Sequence, residues 1–286
     1  MSLGILVSGN LGYVVLKHLF KNFKVIFVMT DKKSNLIIDF CKTNEIKIFE
    51  GNPRNEMAYD FFSKHNIEVL LSVNYLFLIK KDLIKLPVKL AFNIHGSLLP
   101  KYRGRTPHVW AIINNEKQTG ITAHLIDEGC DTGHILDQVI VDISESDTGN
   151  DLLNKYNKLY IPLIENVLQG VKNNTLTVTP QNNRVATFFG RRTAQDGKIN
   201  WEWHKERIKN WVRAQAYPYP GAFAFYNNKK VIIDEIEFVD YNYNQDQPNG
   251  TILSASPLII KTPNGPVLLK KIRNEILNLE KLKVFK

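Results

Sequence analysis

The feature that most constrains the fold is an alternation between short apolar runs and segments of helical periodicity, which continues from the N-terminus to about residue 170. The first apolar runs are Leu3–Ser8 and Val25–Met29, and the segment between them repeats apolar residues at helical spacing. The run Val69–Val73 contains no charged residue, as is typical of a strand buried on both faces. This β-α-β-α pattern predicts a mostly parallel sheet with helices on both sides.

The pattern changes near residue 195, and this change predicts two domains. Beyond a helix around Trp203–Ala214, short alternating strands are separated by turn signals such as Gln247-Pro248-Asn249-Gly250. We expect an α/β domain over residues 1–195 and a smaller β-rich, OB-like domain over residues 196–286. The other predicted strands of the first domain are Ile46–Phe49, Leu90–His95, Ile121–Ile126 and Ile135–Val141. Its other predicted helices are Asn35–Asn44, Asn55–His65, Thr148–Val171 and one that opens at Thr106-Pro107, with Thr106 as the N-cap.

The composition excludes several protein classes. With 44% hydrophobic and 23% charged residues, the chain falls among folded globular proteins. The longest apolar stretch, Val69–Ile79, is about half as long as the ~20 residues that span a bilayer, and the N-terminus lacks a secretory pattern, so we expect a cytoplasmic protein. Cys41 and Cys130 form neither a disulfide framework nor a metal-ligand spacing, and we expect no metal. A net charge of +9 attracts anions of any kind and does not choose among them.

The first βα turn imitates a dinucleotide-binding fingerprint. Gly9-Asn10-Leu11-Gly12 follows the first strand, and Asp31 lies about 20 residues further on, but the turn is one glycine short of the fingerprint. We expect a tight turn at Gly9–Gly12 rather than a nicotinamide site. The helix that follows could still present its N-terminus to an anion, which makes Asn10 a candidate substrate contact.

The densest polar cluster with catalytic potential consists of Asn93, His95 and Asp131. Asn93 and His95 occupy alternate positions at the end of a predicted strand, so they face the same side of the sheet, at the edge where open α/β sheets bind ligands. A neutral imidazole can accept a proton, a carboxylate can orient it and raise its pKa, and a carboxamide N–H can donate to an oxyanion. The set suits attack by an amine or a hydroxyl group on a carbonyl carbon.

The residues around this cluster resemble the signature of the folate-dependent formyltransferases. The run Phe92–Arg105 contains His-Gly-Ser-Leu-Leu-Pro with an asparagine two residues before the histidine, and it is followed by Gly120-Ile121-Thr122-Ala123-His124 and Asp131-Thr132-Gly133. The resemblance implies a Rossmann-like catalytic domain, a smaller C-terminal β domain, and transfer of a formyl group from 10-formyltetrahydrofolate to an amine. It also implies that His95 is the general base, that Asn93 stabilises the oxyanion, and that Asp131 keeps His95 basic and oriented.

The same resemblance implies contacts with the two substrates. It places the pteridine against Phe77, Leu78 and Ile79, and against the loop formed by Asp127, Glu128, Gly129 and Cys130. Arg105 matches a ligand-binding arginine of the family. Arg103, together with Arg105, could clamp a diphosphate, and Tyr219 is a further candidate for substrate binding.

The acceptor amine is the least determined part of this interpretation. The shorter enzymes of purine synthesis lack the C-terminal domain, and relatives directed to methionyl-tRNA carry a basic insertion where this chain has only Asp31–Asn35. Phe189–Gly197 and Val212–Phe223 resemble the sugar-nucleotide N-formyltransferases, which implies a dTDP-linked 4-amino-4,6-dideoxy sugar for O-antigen or a similar surface glycan. A methionyl-tRNA formyltransferase and a non-enzymatic basic module that binds nucleic acid stay open as alternatives. Folate and a sugar nucleotide are the expected partners, with neither nucleic acid nor membrane, and a homodimer stays open.

The remaining histidines and tryptophans have ordinary structural interpretations. We expect packing roles for His108 and His124. The spacing of Trp201, Trp203 and Trp211 favours burial of a helix face over base stacking.

Overall fold

The computed structural model describes residues 1–274 and 279–286. Its helices are α1 (Gly9–Asn22), α2 (Asn35–Thr43), α3 (Glu56–Phe62), α4 (Lys81–Ile84), α5 (Pro107–Ile113), α6 (Gly149–Asn173) and α7 (Lys205–Ala214). Its strands are β1 (Ser2–Val7), β2 (Lys24–Thr30), β3 (Lys47–Glu50), β4 (Val69–Val73), β5 (Leu90–His95), β6 (Arg103–Gly104), β7 (Gln118–Leu125), β8 (Ile135–Asp142), β9 (Phe188–Phe189), β10 (Ala222–Tyr226), β11 (Lys229–Phe238), β12 (Ile252–Ala255), β13 (Leu258–Thr262) and β14 (Gly265–Ile272).

The main sheet confirms the predicted α/β class. Its strand order is β3-β2-β1-β4-β5-β7-β8. The pairs from β3 through β5 are parallel, whereas β7 runs antiparallel to β5. The carboxyl ends of β1, β4 and β5 therefore lie at one edge of the sheet, which is where open α/β sheets bind ligands.

Burial explains why the central strands carry few polar residues. Every residue of β4 is buried, and β4 pairs with β1 on one side and with β5 on the other. One face packs against α3 through a cluster that includes Leu6, Phe27, Phe62 and Leu70. Removing these side chains from water stabilises the sheet at roughly 25 cal/mol per Å² of apolar surface.

One local prediction needs correction, and a second is confirmed in its position only. The segment Gly9–Gly12 is the first turn of α1 rather than a separate tight turn, and an added Cβ at Gly12 would lie 2.9 Å from the Cβ of Val7. Gly12 therefore lets the helix approach its own preceding strand. Thr106 does occupy the N-cap of α5, but its backbone is left-handed, with φ 48°, and its side chain makes no capping hydrogen bond.

The described chain divides into two compact units that interleave along the sequence. The first comprises Met1–Gly104, Gly120–Val141 and Lys155–Phe188, and the second comprises Arg105–Thr119, Asp142–Asn154 and Phe189–Lys286. The division of the domains at residues 195 and 196 stays a prediction.

The second unit contains an antiparallel sheet of order β10-β11-β14-β13-β12, which confirms the predicted β-rich region. Trp201 and Trp203 precede α7, so the three tryptophans do not share one helix face. Trp201 and Trp211 are buried, which agrees with the predicted packing role. Within residues 1–274 and 279–286, no helix combines the length and the apolar character needed to cross a membrane.

Candidate active site

The candidate site lies at the carboxyl end of β5, where the sequence predicted it. His95 is the last residue of this strand, and 7% of its surface is exposed. Asn93 occurs two residues earlier and is half-buried. Asp131 comes from the loop between β7 and β8, and its carboxylate oxygen Oδ1 lies 3.5 Å from Nδ1 of His95. The structure thus brings together the three predicted catalytic residues.

A backbone carbonyl determines the tautomer of His95. His95 Nε2 is 2.8 Å from the carbonyl oxygen of Tyr102, and because a carbonyl only accepts, Nε2 carries the hydrogen. Tyr102 is held in a left-handed conformation with φ 60°, and its own N–H donates to the hydroxyl oxygen of Thr187 at 2.8 Å. In the neutral ring, Nδ1 is then the basic nitrogen, and it faces Asp131.

The loop that carries Asp131 is fixed by hydrogen bonds from distant residues. The N–H of Gly104 donates to Oδ2 of Asp131 at 2.9 Å. Gln181 Nε2 donates to the carbonyl oxygens of Asp131 at 2.9 Å and of Gly133 at 2.6 Å. Asp131 itself has a left-handed backbone, with φ 57°, which costs energy for a residue other than glycine. These bonds hold the carboxylate toward His95 against that cost.

Burial and charge act in opposite directions on His95 and Asp131. Burial lowers the pKa of His95, and the Asp131 carboxylate opposes this effect without reversing it. The carboxylate thus acts in the expected direction, but burial, which the sequence analysis did not include, has the larger effect. Burial raises the pKa of Asp131, but the facing His95 and His124 rings and the Gly104 N–H together hold it well below its usual range. At neutral pH the pair is a carboxylate beside a neutral imidazole that can accept a proton.

The structure also places His124 in the site, which the sequence interpretation assigned to packing. His124 Nε2 lies 3.1 Å from Nδ2 of Asn93 and 3.6 Å from Oδ1 of Asp131. The register of the antiparallel pair β5/β7 sets Asn93 directly opposite His124. The available signal was that His124 closes the segment Gly120–His124, which was itself part of the family resemblance.

The turn after His95 is held by the side chain of Thr122 on β7. The Thr122 hydroxyl donates to the carbonyl oxygen of Ser97 at 2.6 Å and accepts from the N–H of Leu99 at 3.2 Å. Gln138 Nε2 donates both to this hydroxyl at 2.8 Å and to the carbonyl oxygen of Leu99 at 3.0 Å. The segment that follows the catalytic strand is thereby tied to β7 and β8.

Comparison with known proteins decides what family this site belongs to. A family model described as "Formyl transferase" matches residues 17–168, which is more than half of the chain, and one described as "Formyl transferase, C-terminal domain" matches residues 191–284. The chain belongs to the formyl transferase family. This membership excludes the alternative of a non-enzymatic module that only binds nucleic acid.

Individual relatives agree with the family assignment. The chain is 35% identical over 265 residues to the bifunctional polymyxin resistance protein ArnA of Wigglesworthia glossinidia brevipalpis; the match covers 88% of this chain and 39% of that protein's length. It is similar in structure to WlaRD, described as a sugar 3N-formyl transferase in the presence of dTDP and 5-N-formyl-THF, with TM-score 0.73, 27% identity, and coverage of 96% of this chain and 99% of WlaRD. An N-formyltransferase from Helicobacter canadensis, in complex with folinic acid and dTDP-3-aminofucose, has TM-score 0.74, 26% identity, and coverage of 93% and 98% respectively.

The two loops predicted to bind the pteridine are exposed, but not every predicted side chain is. Leu78 is 58% exposed, whereas Phe77 is half-buried with its ring edge-on to Tyr75, and Ile79 packs against the core. The predicted residues of the second loop, Asp127, Glu128, Gly129 and Cys130, are exposed. An ion pair of 3.0 Å between Lys81 and Glu128 connects the region just beyond the first loop to the second loop.

The remaining predicted contacts lie in different surroundings. Arg103 is 8% exposed, and its guanidinium donates to Oε1 of Gln181 and to Oδ1 of Asn183, so its placement supports the Asp131 loop rather than a diphosphate. Asn10 is exposed in the first turn of α1. In the second unit, Arg105 is exposed, and the hydroxyl of Tyr219 lies 2.9 Å from Nε2 of His108. Among the described residues, no group of three or more His, Cys, Asp or Glu side chains is arranged to hold a metal ion.

Proposed function

We propose that this formyltransferase moves the formyl group of 10-formyltetrahydrofolate to the amino group of a dTDP-linked amino-dideoxy sugar, for O-antigen or a similar surface glycan. The observation that carries the proposal is the arrangement of Asn93, His95 and Asp131 at the carboxyl end of β5. Two structures more than 25% identical to the chain contain a formyl-folate together with dTDP or a dTDP-amino sugar, which supports the same substrate classes here.

Each catalytic residue has a role that its surroundings permit. We assign His95 Nδ1 as the acceptor of the proton that the attacking amine loses, because Nε2 already donates to the Tyr102 carbonyl. The Tyr102 carbonyl orients the ring, and Asp131, whose Oδ1 lies 3.5 Å from Nδ1, stabilises the imidazolium once Nδ1 is protonated. The carboxamide of Asn93 donates an N–H to the oxygen of the formyl group as negative charge develops on it.

The exposed loops have the chemistry that a pteridine needs. Leu76 and Leu78 are 47% and 58% exposed, and they offer apolar surface to a flat heterocycle. The backbone of residues 127–130 offers polar groups for the ring edge. 10-Formyltetrahydrofolate would supply the activated formyl group at this position. Arg105, Tyr219 and Asn10 stay proposed substrate contacts.

The position of the amine on the sugar is the point that the test must decide. The sequence resemblance favours a 4-amino-4,6-dideoxy sugar, whereas WlaRD and the Helicobacter canadensis enzyme are described with the 3-amino position or a 3-amino sugar. A 4-N formyltransferase from Francisella tularensis shares the fold with TM-score 0.70 at 21% identity. The 4-amino sugar stays the first candidate, and the descriptions of WlaRD and the Helicobacter canadensis enzyme make the 3-amino sugar the second.

The experiment offers purified protein 10-formyltetrahydrofolate with one acceptor at a time and follows tetrahydrofolate release. The acceptors are dTDP-4-amino-4,6-dideoxyglucose, dTDP-3-aminofucose and initiator methionyl-tRNA. We expect turnover with a sugar nucleotide only, and a KM that rises little with salt because one diphosphate is bound. Turnover of the tRNA alone, with a log-log salt slope of several units, would contradict the proposal.

The catalytic assignment has a matched control in the same unit. Asn93→Ala should lower turnover, whereas His18→Leu should not, because the His18 ring pairs with Glu165 at 2.7 Å on an exposed surface.

We further propose that the enzyme works in the cytoplasm, where folate and nucleotide sugars meet.

A further inference from the structure

Asn93 and His124 lie directly opposite each other on the antiparallel strands β5 and β7. Nδ2 of Asn93 is 3.1 Å from Nε2 of His124, and His124 is 3% exposed. Opposite residues of an antiparallel pair have neighbouring Cβ atoms, so the contact between Asn93 and His124 follows from the register of the sheet.

The other nitrogen of the His124 ring decides the direction of the hydrogen bond. Nδ1 of His124 is 2.8 Å from the carbonyl oxygen of Leu125. Since a carbonyl only accepts, Nδ1 carries the hydrogen, and in the neutral ring Nε2 is an acceptor. Only the nitrogen end of the Asn93 carboxamide can donate to that acceptor. The amide nitrogen of Asn93, not its oxygen, therefore faces His124.

This contact selects one of two orientations of the Asn93 amide. The reversed orientation would place Oδ1 against the Nε2 lone pair, which sets two acceptors against each other in a buried position. In the selected orientation, one N–H of the carboxamide binds His124. Because the carboxamide is planar, this bond also fixes the direction of the second N–H, which is available to another acceptor. An oxyanion needs a donor of this kind held in advance.

We propose that His124 is a positioning residue for formyl transfer, because its Nε2 holds the Asn93 carboxamide with an N–H directed to the formyl oxygen. This inference rests on the proposed function of the site. Two titratable groups face His124: Oδ1 of Asp131 is 3.6 Å from Nε2, and the His95 ring lies edge-to-face at 6.5 Å between centroids. His124 acts through Asn93 and does not touch the reacting atoms.

The kinetic test compares two substitutions of the same residue. His124→Leu removes the acceptor, whereas His124→Gln retains an oxygen that can accept from Asn93. We expect His124→Leu to lower kcat by about 10- to 100-fold, because an oxyanion donor that is no longer held in advance stabilises the transition state less, and to leave both KM values within about 2-fold. His124→Gln should recover at least half of that loss on a logarithmic scale, and His18→Leu should match the wild type. A kcat within about 2-fold of wild type for His124→Leu, or equal losses in both His124 variants, would overturn the inference.

A second readout does not depend on activity. The side-chain amide of Asn93 can be followed in a ¹H–¹⁵N spectrum and assigned by its loss in Asn93→Ala. In the wild type we expect two separate proton signals that exchange slowly with water, and in His124→Leu we expect them to approach each other and exchange faster. Unchanged amide signals in a folded His124→Leu variant would refute the role of His124. Absence of formyl transfer by the wild type would instead refute the proposed function, and the amide signals would still decide whether His124 holds Asn93.

Discussion

Replacing His108 tests how a buried neutral imidazole makes the stability of this protein depend on pH. His108 lies on α5 and is 9% exposed, and burial lowers its pKa to about 4. In the unfolded chain its pKa is about 6.5. Between pH 6.5 and pH 4 the unfolded state therefore binds a proton at His108 that the folded state does not bind. This contribution to the unfolding free energy is retained above pH 6.5 and is lost as the pH falls toward 4. The gap of about 2.5 units, at 1.36 kcal/mol per unit, corresponds to a maximum of roughly 3 kcal/mol.

The assay is urea-induced unfolding at pH 7 and at pH 4.5, followed by tryptophan fluorescence. All four tryptophans of the chain lie in the second unit, as does His108, so the signal reports on the right part of the molecule. Between these pH values the wild type should lose roughly 2 kcal/mol more of its unfolding free energy than His108→Phe does. Tyr219→Phe removes the hydroxyl that lies 2.9 Å from Nε2 of His108 but leaves the imidazole buried, so it should keep the pH dependence of the wild type. Equal losses in the wild type and in His108→Phe would refute the reasoning.

The remaining predictions concern the active site. His95→Ala and Asn93→Ala should each lower kcat by roughly 10²-fold or more with folate affinity nearly unchanged, because a general base and an oxyanion donor act mainly in the transition state. A near-normal kcat in both variants would contradict their assignment. Asp131→Asn removes the carboxylate that opposes the effect of burial on the pKa of His95, so the acid limb of the kcat–pH profile should move to lower pH and the plateau should fall. An unmoved limb would show that Asp131 does not act on His95. Gln181→Leu leaves the carbonyl oxygens of the Asp131 loop without their donor and should lower the unfolding free energy by about 1–3 kcal/mol together with kcat, whereas Gln169→Leu on the exposed face of α6 should change neither.

Local patterns in the sequence predicted the fold class, and together with the family resemblance they predicted the catalytic residues. The strands predicted at Val69–Val73 and Leu90–His95 have those bounds in the structure. Every residue of Val69–Val73 is buried, so the apolar run that marks this strand reflects a requirement at every position. Asn93 and His95 were recognised because they occupy alternate positions on one strand, and that relation is local in the chain.

The tertiary structure alone decided how the site is supported. Gln181 reaches the carbonyl of Asp131 across 50 residues of sequence, and no local pattern marks such a pair. The antiparallel direction of β7 places His124 opposite Asn93, whereas the rhythm of the sequence indicates strands without stating which residues pair. The low pKa of His95 has the same origin, because burial is produced by the whole fold while the neighbouring carboxylate can be read from a motif. Residue type and short spacing thus determined which functional groups this protein can use. Long-range register and burial determined how the side chains of Asn93 and Asp131 are oriented and how His95 is protonated.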